Sequence, residues 1–292
     1  VLDFDKQYSE YKNDFEKKLA QFCDNLDCKP QILAESLKYS LNIGGKRIRP
    51  VLMYAVADLL DIKRAKVENF ALALELIHTY SLIHDDLPEM DNDDFRRGKP
   101  SNHKKFGTGN AVLAGDGLMN TAYSILFGEC LKGEGYIKAA KYICDCAGIY
   151  GMIAGQSADL LYEKDENATK QTLDFIYEHK TAKLIMAAVS TPALISNSEY
   201  LNDITSYGKD LGYLFQLTDD ILDVEGSFDK LGKTIGKDSE EGKLTSVKLY
   251  GLEESNSRAD RIYESCLSYL NKIDGDTSFL KQVVEFVRKR AF

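Results

Sequence analysis

The chain has 292 residues, 44% of them hydrophobic and 28% charged, with 21 glycines and only five prolines. That balance is globular and excludes collagen-like or linker-like sequence, and the length allows one large domain or two ordinary ones. A net charge of -9 argues against a nucleic-acid partner, but leaves room for a small anion held by local basic clusters or metal ions. No apolar run approaches the roughly 20 residues of a membrane span. The opening VLDFDKQYSEYKNDFEKK is charged and amphipathic, without a secretory core, and does not begin with Met. A cytoplasmic chain, processed or a fragment, is the expectation.

Apolar residues recur at helical spacing along nearly the whole chain. Helices are predicted over 4–23, 31–42, 51–60, 66–86, 110–131, 136–160, 171–189, 203–225, 256–273 and 278–290. The breaks between them are short and carry Gly, Pro, Asn or Asp, as in NIGGKRIRP and KGEGY. Pro50 suits the first turn of the third helix. Thr169 or Asn167 is placed to cap the helix that follows. Alternating strand-like runs are nearly absent, and there is no repeat of fixed period. The expected architecture is all-α: one domain over 1–292, a bundle of about ten helices around a central cavity. Cys23, Cys28, Cys130, Cys144, Cys146 and Cys266 match no zinc spacing and are read as free thiols in helical segments.

Residues 84–100, HDDLPEMDNDDFRRGKP, gather six acidic and three basic side chains. Upstream, His78, Ser81 and Asp85 fall at i, i+3 and i+7, a polar stripe on an otherwise apolar helix. Such a stripe must face water or a cavity. It ends at Asp85 and Asp86, Pro88 interrupts the helix, and Asp91 follows. Aspartates at a helix C-terminus are unfavourable by about 0.3–1 kcal/mol each. Arg96 and Arg97 could compensate, and so could divalent cations, which prefer carboxylate oxygens. A solvated acidic loop is the plain alternative.

A second cluster, QLTDDILDVEG, places Gln216, Asp219, Asp220 and Asp223 on one helix face. Like charges four apart are destabilising unless something positive joins them. Two such clusters make sense if they serve a shared set of metal ions. Gly44, Gly45, Lys46, Arg47 and Arg49 in GGKRIRP could cradle a phosphate. Lys180 and Thr181 in EHKTAKL, with Lys233, Lys237 and Lys243 after the second cluster, add further cations. Gly151 and Gly155 allow close helix approach, and Gln156 and Asp159 follow on the same helix. A Walker loop and a Ser–His–Asp set are both missing. The chemistry left is a diphosphate held by metal bridges, with an apolar cavity for a hydrocarbon body.

The motifs GGKRIRP, YSLIHDDLPEMDNDDFRRGKPSNHKKFG, GQSADL, HKTAKL and FQLTDDILDVEG together resemble the trans-isoprenyl diphosphate synthase family, most closely its bacterial farnesyl diphosphate synthase type, over about residues 30–290. The resemblance implies an isoprenoid-synthase bundle and a Mg-dependent condensation of isopentenyl diphosphate with dimethylallyl or geranyl diphosphate. It implies three Mg²⁺ ions, replaceable by Mn²⁺, on Asp85, Asp86, Asp91, Asp219, Asp220 and Asp223. Arg96, Lys180 and Lys233 would contact the allylic diphosphate. Gly45, Lys46, Arg49, His78, Arg97 and Lys243 join the substrate-binding set, with Lys46, Arg49, His78 and Arg97 on isopentenyl diphosphate. Thr181, Gln216 and the Lys180 carbonyl would steady the allylic cation. Tyr80, with Ser81 beside it, would stop growth near fifteen carbons, although an ordinary core aromatic is the plainer role for Tyr80. A homodimer is also implied. Glu89, where a small residue is usual, and Ser101, where Thr is common, depart from the pattern; Glu89 could alter metal affinity.

Four other readings stay open. A geranylgeranyl diphosphate synthase would share every motif. A terpene cyclase would share the first aspartate motif but not the second. A non-catalytic prenyltransferase subunit should have lost one motif. A helical scaffold would give no reason for either acidic stripe.

Overall fold

Helix forms almost wherever the apolar period runs at three to four residues. The computed structural model describes residues 3–163, 165, 168–225 and 243–289. They fall into two compact units, residues 1–140 and 141–292. Among the described residues no helix is long and apolar enough to cross a membrane.

The first unit holds α1 (Phe4–Asn25), α2 (Gln31–Asn42), α3 (Ile48–Leu59), a 3₁₀ turn (Arg64–Lys66) and α4 (Glu68–Asp85). A hairpin of β1 (Phe95–Arg96) and β2 (Lys99–Pro100) follows, then α5 (Asn102–Phe106) and α6 (Thr108–Cys130). The core is built on α4, where Phe70, Leu74, Leu76 and Ile77 are fully buried, and it packs along α6 through Ala114, Leu118 and Ala122. Each such leucine-sized side chain contributes about 1.5–3 kcal/mol on burial. Between Phe70 and Asp86, only His78, Ser81, Leu82, His84 and Asp85 escape burial. The polar stripe expected from spacing is therefore the open face of this helix.

The unit boundary falls within α7 (Glu134–Ala147). The second unit continues with α8 (Met152–Tyr162), α9 (Lys170–Ile176), a π-helical turn (Tyr177–Ala182) and α10 (Lys183–Ser196). Then come α11 (Leu201–Glu225), α12 (Ser246–Tyr250), α13 (Leu252–Leu270) and α14 (Ser278–Lys289). Its core joins Val189 of α10, Tyr207, Leu214 and Leu217 of α11 and Cys266 of α13, all 0% exposed. Valines 283, 284 and 287 of α14 bury one face of that last helix.

Three expectations change. The helix expected over 136–160 is two, because the chain turns at 148–151: the Gly151 amide donates to the Gly148 carbonyl (2.9 Å), and a β-carbon at Gly151 would overlap the Cys146 carbonyl. The helix expected over 171–189 is interrupted by the π turn. The short α5 was not foreseen; Asn102 ties it to α2, its Oδ1 accepting from Ser36 Oγ (2.9 Å) and its amide donating to Ser40 Oγ (2.8 Å). Thr169 caps α9 with a reciprocal bond to Thr172; Asn167, the other candidate cap, lies outside the described residues. None of the six cysteines forms a disulfide, and Cys23, Cys146 and Cys266 are buried.

Candidate active site

In the first unit, the end of α4, the hairpin and the α2–α3 loop collect cations around one carboxylate pair. The hairpin pairs Phe95 with Pro100 and Arg96 with Lys99. Its two loop residues, Arg97 and Gly98, both have positive φ (53° and 73°), as a two-residue primed turn requires. Arginine is a poor choice there, so its position is imposed by something other than turn preference. Arg97 Nη1 donates to the Gly44 carbonyl. A β-carbon at Gly45 would overlap the Arg97 guanidinium, so glycine there makes room for the cation.

Arg96 grips Asp86. Its Nε lies 3.0 and 3.3 Å from the two carboxylate oxygens, Nη2 bonds Oδ1, and Asp93 stands 3.6 Å from Nη2. The Asp86 side chain is 3% exposed. Burial raises its carboxyl above the ordinary carboxylate value although Arg96 opposes the shift. Asp85 and Asp91 remain only partly covered, and the Asp91 amide donates to the Asp85 carbonyl at 2.8 Å, folding the motif back on itself. A cavity of about 20 Å³, the size of one water, lies against Asp86, Arg96 and Arg97.

Arg47 does not join this cationic set. It is buried, sits at φ 53° as the residue before α3, and is spent on structure. It bonds Glu16 and Glu75 (2.8 Å each) and the Leu41 carbonyl (2.7 Å). Glu75 is itself buried within the apolar run of α4. Sequence reasoning gave Glu75 no role, yet a lone acid inside FALALELIH signals a buried cation partner. Tyr8 holds the same loop by donating to the Lys46 carbonyl (2.7 Å). Arg49 keeps a buried Nε with no partner among the described residues, and burial, with Arg97 nearby, pulls its pKa down to about 10. His78, half-buried on the open face of α4, loses enough hydration there, beside Arg49, Arg97, Arg47 and Arg96, to be driven well below the ordinary imidazole value. Its ring is therefore neutral at pH 7. A neutral histidine thus stands among arginines, one of which keeps a buried Nε without a partner among the described residues.

Tyr80 lies five residues before Asp85 on α4. It is buried, its hydroxyl has no partner among the described residues, and its ring meets His84 edge-on at 5.8 Å. His84 fits because residue 115 is glycine: a β-carbon there would overlap its ring. Ser81 is partly exposed and donates to the His78 carbonyl (2.9 Å).

In the second unit, α11 carries Asp219 and Asp223 partly exposed and Asp220 buried. Asp220 Oδ2 accepts from the Ser246 amide (2.6 Å) and the Tyr177 hydroxyl; Oδ1 accepts from Gln216 (3.3 Å). Gln216 in turn accepts from Thr181 Oγ1 at 3.1 Å. Lys180 forms an ion pair with Asp159 of α8. Gly155 lets α8 close on this turn, since a β-carbon there would overlap the Lys180 amide. Gly151 is not part of that approach; it is the residue that starts α8. Lys243 is partly exposed just ahead of α12. Lys233 and Lys237 lie outside the described residues. Sequence spacing gave no sign of Tyr177 or Ser246, which meet Asp220 across 43 and 26 residues.

Both aspartate motifs present carboxylate oxygens, the donor type that a hard cation prefers. Among the described residues no three His, Cys, Asp or Glu side chains close a metal shell by themselves.

A family model for polyprenyl synthetases matches residues 30–285. The chain belongs to the polyprenyl synthetase family. It is 41% identical to the farnesyl diphosphate synthase of Micrococcus luteus over 88% of this chain and 89% of that one. It is 37% identical to the farnesyl diphosphate synthase of Geobacillus stearothermophilus over 99% and 98%. The geranylgeranyl diphosphate synthase of Cyanophora paradoxa is also similar, at 37% over 89% and 88%. Among solved structures, a geranyltransferase from Legionella pneumophila superposes with a TM-score of 0.88 at 31% identity, covering 99% of this chain and 98% of that one. A geranyltransferase from Helicobacter pylori complexed with magnesium and isoprenyl diphosphate gives 0.81 at 32%, over 97% and 96%. The polyprenyl synthetase described here is a prenyltransferase with the all-α isoprenoid-synthase fold.

Proposed function

We propose that this prenyltransferase joins isopentenyl diphosphate to dimethylallyl and then geranyl diphosphate and stops at farnesyl diphosphate, in a Mg²⁺-dependent reaction. Residues 1–292 act as one catalytic domain in this reading, which the family match across both units supports. Asp85, Asp91, Asp219 and Asp223 are assigned to the metal ions. Asp86 and Asp220, which the sequence placed in the same set, are assigned to holding the two motifs in shape, because Arg96 engages both oxygens of one while Tyr177, Ser246 and Gln216 engage the other. Mg²⁺ bound there supplies neutralisation of a departing diphosphate.

The chain's own groups do the rest. Arg49, with its unsatisfied Nε, and neutral His78 hold the diphosphate of isopentenyl diphosphate with Lys46 and Arg97; Gly45 keeps the space for Arg97. Arg96, Lys180, Lys233 and Lys243 serve the allylic diphosphate or its release. The Lys180 carbonyl, Thr181 and Gln216 present oxygens to the allylic cation once the carbon–oxygen bond breaks. The cation adds to the double bond of isopentenyl diphosphate, and a proton leaves to the released diphosphate.

Tyr80 carries the choice of product. A buried ring five residues before Asp85 stands about 7.5 Å along α4 from the metal end, placed to block a tail that grows down this helix. Dimethylallyl diphosphate, isopentenyl diphosphate and Mg²⁺ should yield a fifteen-carbon product, and Tyr80→Ala a longer one. A twenty-carbon product from the wild type would instead select the geranylgeranyl reading.

Homodimerisation belongs to the same proposal. Phe127 and Leu131 at the α6 end, 75% and 90% exposed, and Tyr150 and Leu161, 77% and 70%, are large apolar side chains that a partner subunit could cover. Sedimentation should give twice the chain mass. Cysteines that form no disulfide support a reducing, cytoplasmic location.

A further inference from the structure

We propose that Tyr177 is a positioning residue of prenyl transfer: through Asp220 it fixes the register of the π turn that carries Lys180 and Thr181 against α11. This rests on the reading above for those two residues, and the geometry is all within the second unit.

The turn and α11 are joined by two polar rungs. Tyr177 donates to Asp220, and Thr181 donates to Gln216 at 3.1 Å. Each rung is four residues from the other on both elements, counted in opposite directions along the chain. The two elements therefore run antiparallel, with one side-chain pair per helical turn. Beyond the rungs, glycines set the spacing: a β-carbon at Gly212 would overlap Ala182, and one at Gly208 would crowd Val189. Close glycine packing fixes how near the elements lie but slides easily. Directional hydrogen bonds fix where along the axis they stop.

Tyr177 is the better anchored of the two donors. It is 2% exposed, and its oxygen also accepts from the Ser246 amide (3.2 Å). Ser246 heads α12 and shares a buried hydroxyl bond with Ser255 of α13 (2.8 Å). The Tyr177 rung is thus welded to two further helices, whereas the Thr181 rung ends at Gln216 and Asp220. A π turn widens the helix by one residue and re-aims its carbonyls, and such turns cluster at functional sites. Tyr177 is the first residue of that turn, so its bonds to Asp220 and Ser246 anchor the turn where it begins. Asp219 and Asp223 lie on α11 itself, so their mutual spacing does not depend on Tyr177.

The test is Tyr177→Phe, read by steady-state kinetics and thermal denaturation. We expect kcat to fall roughly 10- to 100-fold, because Lys180 and Thr181 lose register. The KM for isopentenyl diphosphate and the half-saturating Mg²⁺ should stay within about two-fold, since the variant touches neither site. Tyr213→Phe is the control: that ring stacks edge-on against Tyr177 at 5.0 Å and its hydroxyl donates to Asp174, so it should cost stability but not kcat. In an Asp220→Asn background, Tyr177→Phe should add no further loss.

An unimpaired kcat in Tyr177→Phe overturns the proposal. So does an equal kcat loss in Tyr213→Phe, or additive losses in the double variant. If Tyr177→Phe does not fold, Asp220→Asn carries the test alone. Lower kcat at unchanged half-saturating Mg²⁺ supports positioning; a raised Mg²⁺ requirement or an unchanged kcat refutes it. A wild type that condenses no allylic primer sinks the functional reading itself, which separates the two failures.

Discussion

Asp86 in the first unit is held by a cation, while the donors seen on Asp220 in the second, among the described residues, include a hydroxyl, a main-chain amide and a glutamine. Both are the inner member of an aspartate pair, and both are buried, while their neighbours Asp85 and Asp219 stay partly open. Arg96 meets Asp86 charge to charge; a hydroxyl, a main-chain amide and a glutamine meet Asp220. One spacing in the sequence has two solutions for the carboxylate that does not reach outward. In the proposed reading the charged solution keeps an arginine that could exchange its partner for a diphosphate.

The hardest way to break the likeness is to remove an outer aspartate from each motif. Asp85→Ala and Asp219→Ala should each lower kcat/KM by roughly 10³-fold, several kcal/mol of transition-state stabilisation. Raising Mg²⁺ should recover part of the loss in both. A variant that keeps near-normal turnover would remove its motif from the metal assignment.

Glycine replacements come next and separate the units. Gly155→Ala sets a methyl against the Lys180 backbone, which cannot step aside, whereas Gly45→Ala meets only the end of a long arginine, though at a φ of +143°. We expect Gly155→Ala to cost about 1–3 kcal/mol of stability as overpacking. Gly45→Ala should instead raise the KM for isopentenyl diphosphate, by displacing Arg97, with a smaller stability loss. Thermal denaturation and the two KM values decide it.

How much of this was legible beforehand follows from the range of the forces involved. The polar stripe of His78, Ser81 and Asp85 was readable because helical period alone places it. So were the two acidic faces, the Gly–Gly–Lys–Arg loop and the Thr169 cap, which depend on residues a few positions apart. The split between Asp85 and Asp86, or Asp219 and Asp220, was not. It is set by Arg96 returning through a hairpin, and by Tyr177 and Ser246 arriving from 43 and 26 residues away. The hairpin escaped because Arg97 takes a left-handed position that arginine seldom fills. The break in α7–α8 hinged on Gly151 meeting the Cys146 carbonyl, a clash periodicity does not register. Glu75 alone gave a usable warning that went unread.

Asp86→Asn and Asp220→Asn sharpen the contrast directly. Each should cost about 2 kcal/mol, the worth of hydrogen bonds to a charged group. The Asp86→Asn loss should shrink as salt rises, because part of it is a charge pair and Arg96 is still reached by solvent. The Asp220→Asn loss should change less with salt, since a hydroxyl, an amide and a glutamine carry the bonds described on it. Denaturant titrations at two ionic strengths, reading identical salt slopes, would erase the distinction between charged and neutral anchoring.

The smallest effect is a pH slope that His78 of the first unit should produce. His78 is depressed well below its ordinary value by lost hydration and by the arginines 49, 97, 47 and 96 that face it. Below about pH 6.5 the unfolded chain takes up a proton at this position that the folded chain refuses. The unfolded state then binds more protons, so stability rises with pH through this window and falls as pH drops, by up to about 1.4 kcal/mol per unit. Above pH 7 the contribution is flat. In the second unit Tyr177 is displaced the other way, well above its ordinary value, by burial and Asp220, and it keeps its proton throughout this range. His78→Gln should therefore flatten the difference between pH 5 and pH 7, and inorganic diphosphate should flatten it in the wild type by bringing an anion to the arginines. Equal slopes in wild type and His78→Gln would mean that His78 is not held neutral by this cluster.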